Sequence, residues 1–465
     1  MEDGGAGHDE QSSDATDIQG GRLRHSDRSR LQGCLPRSVA KVFTVYPCLI
    51  NLEYLCYSGP VDPRNNPYTP NAGAQPPLLV GRDDQLETFD LLLARLRDGY
   101  AEQSMIITGL RGVGKTVLLN EFRARAEAAD WAVVEIEVSK HDDTTFRRIM
   151  ARETRRALFS IAPRVKWKDK GRRAAAALKS FSLTVSPDGS LTAGLDVEAI
   201  DGVADSGMLD ADLTDLFVAL GEAAQDHGTG VVFLLDEIQF LSVVQLESLI
   251  AAMHRTVQRS LPVTLVAAGL PQIPELAGEA KSYAERLFKF PAIGRLSNDD
   301  AAEALEGPAR SLSVTFEDKA VDLIVGYTEG YPYFIQECGK AVWDLADGPA
   351  IRGTEASAAL AVVEEKLDGS FFRVRLDRTT DLERAYLRAM AELGPDAHAA
   401  ADVAGLLDRT SQQCGPTRAR LIDKGLLYTP NFGFAAFTVP KFDQFLKRAL
   451  PLEVPPKRTR REAST

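Results

Sequence analysis

The chain has 465 residues, of which 44% are hydrophobic and 26% are charged, and its net charge is −12. This length is enough for several domains, and the acidic balance argues against a protein that binds nucleic acids non-specifically over its whole surface. The five cysteines lack zinc-type spacing and disulfide-rich density, which favours a reducing cytosol. We find no signal peptide and no apolar run long enough to span a membrane, so no membrane partner is expected.

The predicted elements begin late in the chain. Residues 1–65 show little helical or strand periodicity, and we expect a disordered extension followed by a Pro-, Gly- and Asn-rich linker over 59–77. From residue 78, amphipathic helices alternate with short apolar runs, which is typical of an α/β sandwich with a parallel sheet. A hairpin is also predicted over 181–197, around a Pro-Asp-Gly turn.

The segment GLRGVGKT (109–116) joins a predicted strand to a predicted amphipathic helix. It fits the pattern GxxxxGK[ST], in which glycines let successive backbone N–H groups surround phosphate oxygens. Lys115 would reach the β- and γ-phosphates, and the Thr116 hydroxyl would hold Mg²⁺. An ordinary strand-to-helix turn is the alternative. The predicted nucleotide-binding residues of this segment are Gly109, Gly112, Val113, Gly114, Lys115, Thr116 and Val117.

A second buried strand, GVVFLLDE (230–237), ends in an acidic pair. Its unbroken apolar run suits a parallel strand covered on both faces. Asp236 would bind Mg²⁺ and contact the nucleotide site, while Glu237 would orient and deprotonate the attacking water. Such a pair alone is more often a turn or a helix cap, but together with the phosphate loop it indicates a catalytic site.

The remainder of the chain is predicted to be mainly helical. Ser297, with Asp300 three residues later, predicts a helix N-terminus, and the helical pattern continues to about residue 369. Helices are then expected over 381–393, 400–410 and 411–427. A hairpin over 426–439 and a last helix to about residue 449 complete the order of a winged helix.

Taken in order, LVGRDDQL, GLRGVGKT, VVFLLDE, YAERLF and GYPYFIQECG resemble the AAA+ ATPases of the origin-recognition initiator type, together with the related archaeal-type ATPases of the STAND class. The resemblance implies a P-loop NTPase (AAA+) three-layer sandwich with a helical lid and a C-terminal winged-helix domain. The implied domains are 66–296 for the ATPase core, 297–378 for the lid, 379–450 for the winged helix and 451–465 for a basic tail.

The resemblance also implies roles for single residues. Gly81 and Arg82 would lie beside the adenine, although a loop glycine and a surface arginine are the alternative. Arg286 would act as an arginine finger toward a neighbouring subunit; the alternative is a solvated helix residue. Pro332 would touch the nucleotide, but Tyr333 follows it where many AAA+ proteins have an arginine. This departure resembles the STAND class, whose members hydrolyse ATP slowly and act as switches.

A winged helix commonly places its third helix in the DNA major groove. Here that helix would present Thr417, Arg418, Arg420 and Lys424. Charge supports this only in part, because residues 380–450 hold nine basic and eight acidic side chains and phosphate contacts dominate DNA affinity. The alternative is that the winged helix packs on the ATPase core or on a protein partner.

The sequence therefore predicts a cytosolic, Mg²⁺-dependent ATPase that couples ATP binding and hydrolysis to the position of a winged helix. The expected ligands are ATP or ADP with Mg²⁺, and the expected macromolecular partners are double-stranded DNA, a protein or further copies of the chain. A STAND-type regulatory switch with little turnover is the first alternative. A DNA-binding regulator whose ATP site only senses nucleotide is the second.

Overall fold

The computed structural model describes residues 61–140, 142–161 and 168–452. Most of the predicted disordered extension, and all but the first two residues of the predicted basic tail, lie outside these ranges. Within them, no helix combines the length and the apolar composition needed to cross a lipid bilayer.

A parallel sheet of five strands lies at the centre, in the order β2-β3-β4-β1-β5. Its strands are β1 (Ser104–Thr108), β2 (Ala132–Glu137), β3 (Val231–Asp236), β4 (Val263–Gly269) and β5 (Phe288–Lys289). β1 and β4 are buried throughout, as continuous apolar runs predict for strands covered on both faces. Because all neighbouring strands are parallel, their carboxyl ends meet at one edge, where Thr108 pairs with Gly269 and Glu137 with Asp236.

Helices cover both faces of this sheet. They are α1 (Asp83–Arg97), α2 (Lys115–Ala128), α3 (Asp143–Ile161), α4 (Asp169–Val185), α5 (Leu209–Asp226), α6 (Val243–Gln258), α7 (Ile273–Ala280) and α8 (Ala284–Leu287). Alternate residues of β1 join different cores: Ile107 packs in the cluster that contains Phe122 of α2, and Ile106 in the cluster that contains Phe217 of α5. The predicted three-layer α/β sandwich is confirmed.

The hairpin predicted over 181–197 is wrong. α4 continues to Val185, and a short 3-10 turn at Ser190–Thr192 follows it. Four consecutive alanines, 174–177, favour helix, and buried Leu178, Phe181 and Val185 keep helical spacing after them. The Pro-Asp-Gly sequence does form a turn, but this turn ends a helix instead of joining two strands.

The chain from 297 to 378 is mainly helical, as predicted. It contains α9 (Asn298–Arg310), β6 (Thr315–Phe316), α10 (Asp318–Thr328), α11 (Pro332–Leu345), β7 (Ala350–Ile351), α12 (Gly353–Lys366) and α13 (Arg373–Asp377). The Ser297 hydroxyl accepts a hydrogen bond from the Asp300 N–H at 3.1 Å, which caps α9 as expected. The short parallel pair β6–β7 was not predicted, and a π-helical turn, Leu367–Phe372, joins α12 to α13.

We call residues 381–449 the C-terminal module. It contains α14 (Asp381–Leu393), β8 (His398–Ala399), α15 (Ala400–Leu406), α16 (Ser411–Asp423), β9 (Leu427–Tyr428), β10 (Phe434–Phe437) and α17 (Phe442–Ala449). The order of three helices, a hairpin and a last helix agrees with the prediction, and β8 adds a third antiparallel strand. Leu387, Leu421 and Phe445 join the same core cluster as α2, so the module packs on the rest of the chain.

Candidate nucleotide-binding site

Backbone contacts hold the loop between β1 and α2 at the carboxyl edge of the sheet. The Gly109 N–H donates to the Gly269 carbonyl at 3.1 Å. A Cβ at Gly109 would lie 2.5 Å from the Ile293 carbonyl oxygen, so this close approach requires glycine. Gly112 and Gly114 have φ angles of +84° and +93°, in the left-handed region that favours glycine. The local geometry therefore explains the glycines of the motif.

Lys115, the first residue of α2, is 7% exposed. Its Nζ donates to the Gly109 carbonyl at 3.0 Å and to the Leu110 carbonyl at 2.9 Å, so the ammonium lies inside the loop. Burial lowers the pKa of Lys115, and the carboxylates of Glu237 and Asp236 oppose this shift. A buried cation at a helix N-terminus is suited to bind phosphate oxygens.

Asp236 ends β3 and contacts the loop directly. Its Oδ2 accepts a hydrogen bond from the Thr116 hydroxyl at 2.5 Å, and its Oδ1 accepts one from the Glu237 N–H at 2.8 Å. Burial raises the pKa of Asp236, and these two hydrogen bonds oppose the shift. A hydroxyl and a carboxylate oxygen are the ligand types that Mg²⁺ prefers. The two predicted metal ligands are thus adjacent and chemically suited to that ion.

Glu237 has a φ of +54°, which is uncommon for a residue with a side chain. Its Oε2 accepts a hydrogen bond from the Gln239 amide. Its Oε1 lies 3.9 Å from Nη1 of Arg111, the loop residue before Gly112. Strained backbone of this kind clusters at functional sites, and both carboxylate oxygens already have partners.

A cavity of about 490 Å³ opens beside the loop. Its walls come from the loop and the start of α2, from residues 69–82, and from α11, the π-helical turn and α13. The predicted site residues that line it are Arg82, Gly112, Val113, Gly114, Lys115, Thr116, Val117, Glu237 and Pro332. Gly81, Gly109 and Asp236 do not line the cavity; each accepts a hydrogen bond from a residue that does, namely Arg82, Lys115 and Thr116.

Arg82 is buried, contrary to the alternative of a surface arginine. Its guanidinium donates to the carbonyls of Gly81, Val113 and Gly294, at 2.7, 3.1 and 2.9 Å. Arg82 therefore braces the phosphate loop against the chain that follows β5. Pro332 begins α11, where a missing N–H is tolerated.

The sequence of the sheet region matches a described family. Residues 78–266 match the family described as "AAA ATPase domain". Together with the phosphate loop, the acidic pair and the parallel sheet, this match decides the assignment. The chain carries an AAA+ P-loop ATPase domain. Residues 369–446, at the other end of the chain, match a family described as a domain of unknown function (DUF8462).

The chain is also similar to several solved structures at low sequence identity. The Orc1 protein of Aeropyrum pernix in complex with DNA is 16% identical and has a TM-score of 0.38; the alignment covers 80% of this chain and 94% of that one. A Walker-type ATPase of Pyrococcus abyssi is 15% identical with a TM-score of 0.48, covering 79% and 96%. The RuvB branch migration motor of Thermotoga maritima is 16% identical with a TM-score of 0.39, covering 80% and 96%. With TM-scores below 0.5, none of these likenesses bears on function. A search of the curated proteins finds no significant match.

The segment predicted as a linker makes hydrogen bonds to α11. The Thr69 N–H donates to Gln336 Oε1 at 3.0 Å, and the Trp343 indole donates to the Asp62 carbonyl at 3.2 Å. Residues 69–74 then form one wall of the cavity. Composition alone could not predict these contacts, because the hydrogen-bond partners of a Pro- and Gly-rich segment depend on the fold.

Sequence reasoning also missed Arg375. This α13 residue lines the cavity, and its guanidinium lies 3.8 Å from the centre of the Phe371 ring, which in turn stacks on Tyr333. Burial lowers the pKa of Arg375, and the nearby cation of Arg111 lowers it further. An arginine of α13 therefore lines the cavity, even though the position after Pro332 holds Tyr333 instead of an arginine.

Arg286 lies on the exposed surface of α8, just before β5. Because β5 pairs with the start of β1 at Ser104, Arg286 is beyond the amino edge of the sheet, opposite the phosphate loop. It does not reach the site of its own chain. The prediction that it acts on a neighbouring subunit stays a prediction.

Most of the predicted DNA-contacting side chains on α16 are engaged within the C-terminal module. Thr417 is only 3% exposed, so the expectation that it faces a DNA groove is wrong in this arrangement. Arg420 and Lys424 both bind Glu383 of α14, at 3.1 and 2.6 Å. Arg418 donates to the Phe434 carbonyl at 3.1 Å. Arg420 and Lys424 stay partly exposed, and they supply the counter-charges that the buried carboxylate of Glu383 needs.

Replacing Glu383 with Gln should destabilise the C-terminal module. Burial raises the pKa of Glu383, but hydrogen bonds from Lys424, the Thr380 N–H and Arg420 outweigh it and lower the pKa to about 2. The ionised carboxylate therefore contributes stability above pH 4.5, and this contribution is lost as the pH falls toward 2. We expect E383Q to lower the free energy of unfolding by about 1–3 kcal/mol at pH 7, measured by urea denaturation. The difference from the parent should shrink between pH 4.5 and 2, whereas E392Q at an exposed position should show little effect.

Proposed function

We propose that this ATPase domain binds ATP with Mg²⁺ in the cavity and hydrolyses it. The observation that carries the proposal is the 2.5 Å hydrogen bond between Thr116 and Asp236. It joins the loop that contains Lys115 to the acidic pair that contains Glu237, although these segments are far apart in the sequence. Ligands of open α/β folds bind at this carboxyl edge of the sheet.

Three cations would face the phosphates. Lys115 and the N–H groups at the start of α2 would bind the β- and γ-phosphates. Arg375 lines the same cavity, and Arg111 lines it from the loop. Both arginines would gain an anionic partner there. For Arg375, burial and repulsion from Arg111 disfavour the charged form, and a phosphate would oppose both effects. Arg375 could thus supply the positive charge that Tyr333 does not.

Thr116 and Asp236 would hold Mg²⁺, which when bound neutralises charge on the β- and γ-phosphates. Glu237 would take a proton from the attacking water, whose oxygen bonds to the γ-phosphorus as ADP leaves. In an assembly, Arg286 of a neighbouring copy would stabilise the charge on the transferred phosphoryl group. The adenine would lie near Val80 and Arg82, which line the same cavity.

The contacts around the loop support coupling between nucleotide state and the C-terminal part of the chain. The Tyr333 N–H of α11 donates to the Gly112 carbonyl at 3.2 Å, and the Arg111 N–H donates to the Thr438 carbonyl at 3.3 Å. Residues 297–378, which contain α9–α13, would then act as the lid, and the C-terminal module would move as a winged helix. A STAND-type switch with little turnover is the alternative, and the two partners of Glu237 favour it.

A second candidate function, action on nucleic acid, is favoured by a basic surface on α3 and α4. Residues 147–179 contain twelve basic and two acidic side chains in a chain of net charge −12. Arg148, Arg152 and Arg156 are exposed at spacings of four on α3. Arg172 and Arg173 of α4 are exposed and make no ion pair within the described ranges. Such a surface fits a phosphate backbone.

The double variant R172E/R173E tests this second candidate. If the surface binds duplex DNA, the variant should lose about tenfold or more in affinity at 0.1 M salt, with a shallower salt dependence. R255E/R259E is the matched control, since it reverses two exposed arginines on and just after α6. Equal losses in both variants, or none in either, would argue against this surface.

Phosphate release by the full chain, with and without duplex DNA, separates the two candidate functions. Turnover that rises with DNA would support a DNA-acting ATPase. Tight nucleotide retention with little turnover, indifferent to DNA, would support a regulatory switch and a protein partner. Failure to bind nucleotide at all would contradict the proposed function itself.

A further inference from the structure

Arg111 touches the C-terminal module and the acidic pair at the same time. Its N–H donates to the Thr438 carbonyl at 3.3 Å. Its guanidinium lies so close to Gly425, in the turn after α16, that a Cβ there would be 2.8 Å from Nη2. Its Nη1 lies 3.9 Å from Oε1 of Glu237. One side chain therefore spans the distance from the module to the proposed catalytic base.

The second oxygen of Glu237 is also held from this interface. The Gln239 amide donates to Glu237 Oε2, while its own Oε1 accepts from the Leu270 N–H at 3.2 Å. Gln239 also lines a second cavity, of about 320 Å³, together with Gly425 and Thr429 of the module. Both partners of the carboxylate thus lie where the module meets the ATPase domain.

We propose that the docked C-terminal module restrains Glu237 through Arg111, and that displacement of the module raises ATP turnover. Arg111 is in this account a positioning residue, and the inference rests on the proposed function. It goes beyond that function by stating which contact transmits the position of the module and in which direction.

The direction follows from the geometry of the carboxylate. A general base must place an oxygen within hydrogen-bond reach of the water; Oε2 of Glu237 accepts from Gln239, and Oε1 is attracted by the Arg111 cation 3.9 Å away. Burial lowers the pKa values of Lys115 and Arg375, and the nearby Arg111 cation, which both of them repel, lowers them further. This repulsion favours the Glu237 side of the loop for the Arg111 guanidinium. Gly425 has no side chain, and this leaves room for the Arg111 guanidinium at its position within reach of Glu237.

Gly425→Ala tests the inference by moving Arg111 without replacing any side chain that lines the cavity. The added methyl would displace the Arg111 guanidinium from its position against the module. Gly433→Ala is the matched control: Gly433 has a similar φ, +83° against +67°, lies in the same module, and has open space around its Cβ. Any cost of the left-handed backbone is therefore shared by both variants.

We expect Gly425→Ala to raise kcat about fivefold and Gly433→Ala to leave kcat as in the parent. In the background of Arg111→Ala the effect of Gly425→Ala should disappear, because the two changes act on one contact. Unchanged or lower kcat in Gly425→Ala, with thermal unfolding like that of Gly433→Ala, would overturn the inference.

A readout without nucleotide keeps this test separate from the proposed function. In the absence of ATP, amide hydrogen exchange over 236–241 should be faster in Gly425→Ala than in the parent and in Gly433→Ala. Equal exchange in all three proteins would overturn the inference whatever their turnover. Faster exchange in Gly425→Ala, combined with no ATP hydrolysis by any variant, would support the restraint and contradict the proposed function.

Discussion

Replacing Lys115 with alanine is expected to lower the affinity for ATP by about 10- to 100-fold, the loss typical of one or two charge-assisted hydrogen bonds. The ammonium is buried in the loop, where water cannot replace it effectively. The loop itself should persist, because the contact between Gly109 and Gly269 does not involve Lys115. Titration calorimetry with ATP and Mg²⁺ measures the change.

Lys340→Ala provides the control for Lys115→Ala. Lys340 is a partly exposed lysine on α11 that pairs with Asp344 and does not line the cavity. Its replacement should leave the affinity for ATP unchanged. Equal affinities in the parent and in Lys115→Ala would mean that the phosphates bind elsewhere, and the assignment of the loop would fail.

Replacing Glu237 with glutamine is expected to reduce ATP turnover by about 100-fold or more while leaving ATP bound. The amide has the shape of the carboxylate and can accept the same backbone, at a φ of +54°, but it cannot take the proton of the attacking water. Phosphate release and the amount of nucleotide retained after gel filtration report the two properties separately.

Glu303→Gln is the matched control for Glu237→Gln, since Glu303 is an exposed carboxylate on α9. It should turn over ATP as the parent does. If Glu237→Gln also hydrolysed ATP at the parent rate, the general base would have to be another group, and the restraint of Glu237 by Arg111 would have no consequence for turnover.

Local sequence patterns predicted the part of the site that is built from short segments. The loop around Lys115 follows from glycine spacing, because Gly112 and Gly114 answer a left-handed backbone within the loop itself. Asp236 and Glu237 follow from a buried strand with an acidic end. Parallel pairing in the sheet then brings the two segments to one edge, a consequence of fold class that the alternation of helices and strands already indicated.

The missed features depend on contacts between distant segments. Arg375 reaches the cavity only because α13 packs beside Tyr333. Thr417 was expected to face outward, but it is buried, and Arg420 and Lys424 of the same helix pair with Glu383 of α14. Helical periodicity alone does not predict which face of α16 is buried, because this helix has polar residues on more than one face.

The hairpin predicted over 181–197 failed for a different reason. Alternation of apolar and polar residues over five positions fits a strand, but it also fits the end of a helix when the buried residues continue an earlier helical spacing. The alanines at 174–177 decide between the two, since they propagate α4 into the ambiguous segment.

The most direct measurement for the central claim is phosphate release from ATP by the purified full chain with Mg²⁺, side by side with Glu237→Gln. Our account predicts more than one phosphate released per molecule of parent protein, and bound but uncleaved ATP in the variant. A parent protein that binds no ATP, or that releases phosphate no faster than Glu237→Gln, would contradict it.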